Sequence, residues 1–176
     1  MPLVPVLANM ERAGISVRAK KLKELREKAR EELQILEKKI YKEAGAEFNI
    51  NSPKQLGEIL FDKLGLKESG RKTAGGQRST REDILEEIKT THPVVPLILE
   101  YRETFKIEST YFAPLLEMAE KGERIHTTYL QTGTATGRLS SEKPNLQNIP
   151  RESKWATPLR DCFEAEGGST FLAADY

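Results

Sequence analysis

The segment KKLKELREKAREELQILEKKIYKEAG, residues 20–45, constrains the fold of this chain more than any other part of the sequence. Its apolar residues recur at intervals of three and four, which places them on one face of an α-helix. These residues are Leu22, Leu25, Ala29, Leu33, Leu36 and Ile40. The remaining positions mix Lys, Arg and Glu, a pattern typical of a solvated helix surface. The segment therefore predicts a long amphipathic helix that needs further elements to cover its apolar face.

Other helices are predicted on both sides of this one. Residues 2–14 carry apolar residues at helical spacing and end in a glycine. Ser52 and Pro53 are typical of an N-cap and a first helical position, so a helix should begin there. A further helix is expected from about residue 94 to residue 121, bent or broken near Pro114. The first two thirds of the chain are thus predicted to be helical.

The composition changes at about residue 122. From residue 124 the chain becomes rich in Thr, Gly, Ser, Asn and Pro, and an alternating pattern predicts a strand near 124–131. A second strand is predicted at 170–175, where an apolar run leads into two alanines and an aspartate. The sequence therefore indicates a helical part followed by the beginning of an α/β part.

Bulk composition excludes several classes of protein. The 176 residues are 38% hydrophobic and 31% charged, and no apolar run approaches the roughly 20 residues that span a bilayer, so no membrane partner and a cytoplasmic location are expected. Cys162 is the single cysteine, which excludes an internal disulfide and a metal site built on several thiolates. The net charge is only +1, so any nucleic-acid footprint must be local.

One candidate for such a footprint is the segment KESGRKTAGGQRST, residues 67–80, which breaks every periodicity. It combines three glycines with the cations Lys67, Arg71, Lys72 and Arg78. Most loops of this kind are solvated connectors. The alternative is a tip that grips phosphates, because glycine-rich backbone approaches a polyanion closely while Lys and Arg neutralise its charge.

A more specific pattern is TGTATGRLSSEKPNLQNIP at 132–150, followed by FLAADY at 171–176. Together they resemble the signature of family A DNA polymerases, in which a TGRLSS and PNLQNIP segment precedes the strand called motif A. The segments PLVPVLANMERAGI, FNINSPKQLGEILFDKLGL and LILEYRETFKIESTYFAPL resemble the opening of the polymerase region, its thumb and the passage from thumb to palm. The resemblance covers essentially the whole chain.

The resemblance implies a mainly α fold, a helical thumb joined to the beginning of an α/β palm, and hence an incomplete α+β polymerase domain. Residues 1–122 would form the thumb, with its basic tip loop near 67–81. Residues 123–176 would form the N-terminal part of the palm and end within motif A.

DNA-contacting residues follow partly from chemistry and partly from the resemblance. A surface that holds any DNA sequence contacts phosphates and the minor groove, where the acceptor pattern is nearly the same for all base pairs. Arg and side-chain amides suit that task. The resemblance implies minor-groove sensing beside the primer-template terminus by Arg138, Gln147 and Asn148. The further DNA-binding candidates are Thr136, Asn145, Lys106 and Tyr111, the last two by their match to family positions in FKIESTY.

Asp175 is the candidate catalytic residue and metal ligand. The resemblance implies that it is the first of two palm carboxylates that hold two Mg²⁺ ions, which prefer oxygen ligands, during phosphoryl transfer. Tyr176 is assigned to the nucleotide site on the same grounds. This chain contains one ligand of that two-metal site, and dNTP would bind only in the complete enzyme.

The favoured function is therefore part of a DNA-directed DNA polymerase, a nucleotidyltransferase of DNA replication or repair. This chain would bind primer-template DNA and require a second polypeptide carrying the fingers and the remaining palm. On its own it is expected to be inactive. Alternatives are a stand-alone DNA-binding module, an excised fragment without activity, and a purely structural helical protein. The chain ends immediately before the position at which the family has a serine. Such an end is compatible with a split gene or an intein junction, and also with proteolysis or truncation.

The sequence departs from the family pattern at several positions. Arg18 stands where the family commonly has aspartate, and Arg151 with Glu152 reverses the usual apolar-then-arginine pair. Glu152 puts one template contact in doubt, and Lys154 is a candidate to replace the missing charge.

Overall fold

The computed structural model describes residues 2–67, 78–122, 124–172 and 174 of the chain. The chain forms two compact units, unit 1 of Met1–Lys28 with Lys106–Tyr176 and unit 2 of Ala29–Phe105. These units are defined by compactness alone. The division into thumb and palm at residue 122 is a functional assignment that they do not test, and it stays a prediction. None of the helices in the described ranges has the length and apolarity needed to cross a membrane.

The long amphipathic helix is confirmed as α2, Ala19–Ala44. Leu22, Ala29, Leu36 and Ile40 are all buried along its predicted apolar face. Gly45 then adopts a φ of 62°, a left-handed conformation that glycine reaches without steric cost and that is common just past a helix end.

Helices are the main elements in the described part of unit 2. The predicted start at Ser52 is confirmed, because its side chain accepts a hydrogen bond from the backbone N–H of Gln55 at 3.4 Å. Helix α3, Pro53–Gly57, continues as a π-helical turn over Glu58–Lys63. Helix α4, Glu82–Glu87, and most of α5, Val94–Ile107, complete the unit. Its core consists of buried apolar side chains: Leu36, Ile40, Ala44, Ile50, Leu56, Leu60, Phe61, Leu85, Ile88, Val94, Val95, Ile98 and Tyr101.

Unit 1 combines helices with a small antiparallel sheet. Helix α1, Leu3–Ala13, confirms the first predicted helix. Strand β1, Ile15–Val17, lies in the centre of the sheet, between β2, Arg124–Ile125, and β5, Phe163–Glu164. Helices α6, Ala113–Lys121, and α7, Ala156–Arg160, belong to the same unit. The buried rings of Phe112 and Trp155 meet edge to face, with centroids 5.7 Å apart.

The helix predicted over 94–121 is confirmed; it is continuous, and a π-helical turn lies where a bend or break near Pro114 was expected. Between α5 and α6, residues Glu108–Phe112 form a π-helical turn, and Pro114 lies in the first turn of α6. Proline has no N–H to donate, and its ring crowds the carbonyl four residues earlier. A wider turn before Pro114 relieves both problems.

A two-stranded hairpin in unit 1 carries the residues discussed below. Strand β3, Thr128–Leu130, pairs with β4, Ser140–Glu142, and Tyr129 lies opposite Ser141. The strand predicted near 124–131 is thus observed as β2 and β3, interrupted at residues 126 and 127.

The strand predicted at 170–175 is wrong for the residues that are described there, 170–172 and 174, which have no strand conformation. Phe171 and Leu172 are 58% and 91% exposed. A strand needs a neighbour for its backbone N–H and C=O groups, and no described strand pairs with this segment.

Candidate functional site

The loop after β4 is fixed to the start of the hairpin by Thr127. The side chain of Thr127 is buried, and its Oγ1 lies 2.7 Å from the carbonyl oxygen of Pro144 and 3.1 Å from that of Glu142. The hydroxyl has one proton, so the two carbonyls share it. This contact holds the segment 142–144 against the strand that begins at residue 128.

The turn formed by residues 145–148 is organised by the hydroxyl of Ser141. Ser141 is 3% exposed, and its Oγ accepts hydrogen bonds from the backbone N–H groups of Leu146 at 3.0 Å and Gln147 at 3.3 Å. The same Oγ lies 3.4 Å from Oδ1 of Asn145. A residue of β4 thereby determines the path of the chain that follows the strand.

Asn145 completes the turn with its own side chain. Its Oδ1 accepts from the backbone N–H groups of Gln147 at 3.1 Å and Asn148 at 3.2 Å. Of the two polar atoms of the amide, only the oxygen can accept from an N–H donor, so these contacts fix which end of the amide faces the turn. One half of this predicted DNA-binding side chain therefore has a structural role, and its Nδ2 group is the half left to reach another acceptor.

Tyr111 supports the turn from the π-helical segment. It is 3% exposed, and its hydroxyl donates a hydrogen bond to the backbone carbonyl of Asn148. Burial raises the pKa of Tyr111 above its ordinary value, so the hydroxyl stays protonated at neutral pH and remains a donor. The contact occupies the hydroxyl inside the protein, which makes support of Asn148 the role that the geometry gives this residue.

Gln147 and Asn148 project their side chains from the backbone that these contacts hold. Both residues are exposed, and their side chains form no hydrogen bond with any residue in the described part of the chain. Their polar groups are therefore available to an external partner. The turn thus combines a fixed backbone with two exposed amides.

Arg138 lies on a separate tight turn before β4. Thr134 donates from its Oγ1 to the carbonyl of Arg138 at 2.7 Å, and Gly137 in this turn has a φ of 74°. Thr136, a predicted contact for DNA, is exposed and lies 3.4 Å from Thr134 through the two hydroxyl oxygens. The Arg138 side chain is exposed and has no ion pair with a described residue. The turn fixes its backbone and leaves its guanidinium in solvent.

Lys106 is exposed at the end of α5, one turn before Tyr111. In the π-helical segment that follows, Glu108 forms an ion pair with Arg26 at 3.0 Å, and both side chains are mostly buried. That pair holds Glu108 against α2, and the Lys106 side chain lies in solvent.

Two of the four predicted basic-loop residues are described. Lys67 is exposed in unit 2. Arg78 is paired with Asp62, and its guanidinium lies 5.3 Å from the centre of the Phe61 ring. The hydrogen bond from Arg78 lowers the pKa of Asp62 below its ordinary value. Arg78 thus already has a structural role, whereas Arg71 and Lys72 lie outside the described residues.

Asp175 and Tyr176, the predicted catalytic and nucleotide-binding residues, also lie outside the described residues. Within the described part of the chain no three His, Cys, Asp or Glu side chains come together in a group that could hold a metal ion.

Sequence reasoning did not assign the supporting roles of the residues that hold the site together. Thr127 and Ser141 are buried hydroxyl side chains whose partners lie in loops, and no periodicity signals them.

Sequence reasoning also left Arg18 unexplained. The guanidinium of Arg18 donates to the carbonyl of Asp161 and lies 3.8 Å from the Glu164 carboxylate. The departure from the family pattern at Arg18 is therefore accommodated by a local ion pair and hydrogen bond.

The chain is similar in sequence to the DNA polymerases I of several bacteria. The chain is 47% identical to DNA polymerase I of Helicobacter pylori (strain J99) over 99% of this chain and 19% of the relative. It is 46% identical to the thermostable DNA polymerase I of Thermus filiformis, over 99% of this chain and 21% of that protein. With DNA polymerase I of Lactococcus lactis (strain MG1363) the identity is 48%, over all of this chain and 20% of the relative. The chain thus spans about a fifth of the length of these relatives.

A solved structure is also similar. It is the POL domain of Pol1 from M. smegmatis in complex with DNA primer-template and dNTP, with a TM-score of 0.85 and 37% identity. The match covers 93% of this chain and 29% of that chain. The family model for DNA polymerase family A matches residues 19–176. This match extends over most of the sequence, and the chain belongs to DNA polymerase family A.

Proposed function

We propose that this chain supplies part of the primer-template surface of a DNA-directed DNA polymerase. The observation that carries the proposal is the turn at 145–148, whose backbone is held by Ser141, Asn145 and Tyr111 while two amide side chains stay exposed. A surface that reads the minor groove needs donors and acceptors at fixed positions, because the acceptors it meets are the same for every base pair.

Arg138 adds a positive charge to the proposed surface. A guanidinium donates to minor-groove acceptors and to phosphate oxygens. Lys106 would add a phosphate contact, and the basic loop with Lys67, Arg71 and Lys72 a second contact region. Family membership supports this proposal, and the M. smegmatis domain with its bound primer-template is a precedent in structure.

Asp175 would contribute one carboxylate to the metal site of the complete enzyme, and Tyr176 would lie beside the incoming nucleotide. One carboxylate does not displace the hydration shell of Mg²⁺ on its own. The chain spans about a fifth of its curated relatives. We propose that a polypeptide corresponding to the remainder supplies the other ligands and the triphosphate-binding residues, so the isolated chain should bind DNA without extending it.

Primer-template binding and primer extension test this proposal separately. Fluorescence anisotropy measures the affinity of the isolated chain, and single-turnover extension is measured after adding the complementary polypeptide. Arg138→Ala should reduce extension by about 1–3 kcal/mol of transition-state stabilisation, with a smaller effect on affinity. Arg12→Ala is the matched control, since Arg12 is an exposed arginine of α1 in the same unit.

The outcomes separate the candidate functions. Binding and extension together support the polymerase function. Binding without extension in the complemented mixture would instead favour a stand-alone DNA-binding module. Absence of binding would contradict both and leave a structural helical protein. Equal losses of binding and extension in Arg138→Ala would make Arg138 a simple anchor and remove its sensing role.

A further inference from the structure

We propose that Ser141 is a positioning residue for the reaction, acting through the backbone of the turn to aim the side chains of Gln147 and Asn148. This inference rests on the proposed function above. Ser141 is buried, so it has no direct access to DNA. Its influence must therefore pass through the groups that its hydroxyl contacts.

The Ser141 hydroxyl uses its donor and both of its acceptor positions in hydrogen bonds to the turn. A serine hydroxyl has one proton and two acceptor lone pairs. The proton faces Oδ1 of Asn145 at 3.4 Å, and the lone pairs accept from the N–H groups of Leu146 at 3.0 Å and Gln147 at 3.3 Å. Through its hydroxyl, Ser141 is hydrogen-bonded to three successive residues of this turn.

The backbone N–H groups of Leu146 and Gln147 differ in whether a second acceptor remains when the Ser141 hydroxyl is removed. The N–H of Gln147 also donates to Oδ1 of Asn145 at 3.1 Å. The N–H of Leu146 has Ser141 as its acceptor among the described residues. Removal of the hydroxyl therefore leaves Leu146 without an acceptor, and the turn relaxes at the residue immediately before Gln147.

The hairpin gives Ser141 a fixed position from which to act. Ser141 pairs with Tyr129 in the centre of the β3–β4 ladder, and Tyr129 is itself held to Glu11 of α1, whose Oε1 accepts from its backbone N–H at 2.6 Å. The turn is therefore held by a residue of a paired strand. A shift in the turn changes the direction of the Gln147 and Asn148 side chains while the strand stays in place.

The first test is amide hydrogen exchange, measured on the intact chain without DNA. Ser141→Ala should accelerate exchange at Leu146 by about tenfold or more, the amount expected when a local opening loses a hydrogen bond worth about 1.4 kcal/mol. Ser141→Thr, which keeps the hydroxyl, should restore protection. The matched control is Ser153→Ala, because Oγ of Ser153 accepts from the N–H of Trp155 at 3.0 Å elsewhere in the unit. Unchanged exchange at Leu146 in Ser141→Ala overturns the inference.

Asn145→Ala is a second variant that keeps this test decisive if Ser141→Ala unfolds. It removes Oδ1, which accepts from Asn148 at 3.2 Å, and leaves the Ser141 bond to Leu146 in place. Exchange should then accelerate at Asn148 and remain slow at Leu146. Acceleration at both amides would mean that the turn opens as one unit and that Ser141 has no separate role.

The second test is single-turnover extension in the complemented enzyme. Ser141→Ala should slow extension by about tenfold while the Kd for primer-template changes by less than about twofold. If Ser141 acts through Gln147, then Gln147→Ala in the Ser141→Ala background should add little, since coupled residues are not additive. Full additivity of the two effects would show that Ser141 does not work through this side chain.

These two measurements distinguish the inference from the proposed function. If the unmodified complemented chain does not extend a primer, the proposed function fails, and the positioning role in the reaction fails with it. Hydrogen exchange still decides whether Ser141 anchors the turn. If extension occurs and Ser141→Ala extends at the unmodified rate, the inference fails while the proposed function stands.

Discussion

The hydroxyl of Tyr111 donates a hydrogen bond to the backbone carbonyl of Asn148 across 37 positions of sequence. Tyr111 lies on the π-helical turn between α5 and α6, and Asn148 ends the turn that follows β4. This hydrogen bond connects the helical segment to the loop. Asn148 receives its orientation from this bond and from Asn145.

Tyr111→Phe removes the hydroxyl and keeps the ring. We expect the free energy of unfolding to fall by about 1 kcal/mol, because the carbonyl of Asn148 loses its donor at a part-buried contact. Urea denaturation measures this decrease. Tyr129→Phe is the matched control, since Tyr129 is only half-buried and its hydroxyl has no hydrogen bond with a described residue. Equal decreases in the two variants would show that the contact contributes nothing specific.

Gly14 provides a test of how α1 joins the sheet. It has a φ of 61° and a ψ of −167°, a region that only glycine adopts easily, and an added Cβ would lie 2.8 Å from the His126 ring and the Ile125 carbonyl oxygen. Gly14→Ala should destabilise the protein by about 1–3 kcal/mol or more. Gly122→Ala is the control, because Gly122 has an extended φ of −166° and open space around it. Similar melting temperatures for the two variants would contradict this geometry.

The raised pKa of Tyr41 leads us to expect a loss of folding stability at alkaline pH. Burial, followed by the hydrogen bond to Glu37, raises the pKa of Tyr41 from 10.0 to about 12. The folded state therefore holds the proton more tightly than the unfolded state does. The contribution of Tyr41 is complete below pH 10 and disappears as the pH rises towards about 12. Tyr41→Phe should flatten this part of the unfolding profile. A profile unchanged by the substitution would contradict the assignment.

The basic loop can be tested through the salt dependence of primer-template binding. Replacing Lys67, Arg71 and Lys72 by Ala should reduce the slope of log K against log salt by roughly 0.9 for each phosphate that the protein no longer neutralises. An unchanged slope would make the loop a solvated connector.

Arg78 needs a separate experiment because it is paired with Asp62. Asp62→Asn removes the charge of that partner and keeps the arginine. If Arg78 binds phosphate, Asp62→Asn should strengthen DNA binding and Arg78→Ala should weaken it. If Arg78 serves only Asp62 and the Phe61 ring, both variants should lower stability and leave the salt slope unchanged.

The sequence predicted the elements whose pattern is periodic and local. The apolar spacing from Leu22 to Ile40 identified α2, and the Ser52-Pro53 pair located the start of α3. Short strands were harder, since β1 and β5 contain three and two residues and owe their conformation to each other. At 170–175 the error is the opposite one: a strand was predicted, and residues 170–172 and 174 form none. An apolar run without a pairing partner does not become a strand.

The candidate site was predicted in its residues and not in its architecture. Arg138, Gln147 and Asn148 were recognised from their motif and are exposed, although their contacts with DNA stay predictions. The supporting residues have no local signal. The partner of Tyr111 lies far away in sequence, and Ser141 differs from Ser140 only in the side of the strand that it faces, which the motif does not encode.

The most direct test of the proposed polymerase function is single-turnover nucleotide incorporation with Mg²⁺ in the complemented enzyme, with Asp175 and Asp175→Asn compared. The amide keeps the shape of the carboxylate and removes the charge that holds a cation. We expect the unmodified chain to extend the primer, and Asp175→Asn to abolish extension while primer-template affinity stays nearly the same. Incorporation by Asp175→Asn at the unmodified rate would contradict the assignment of Asp175 as the metal-binding carboxylate.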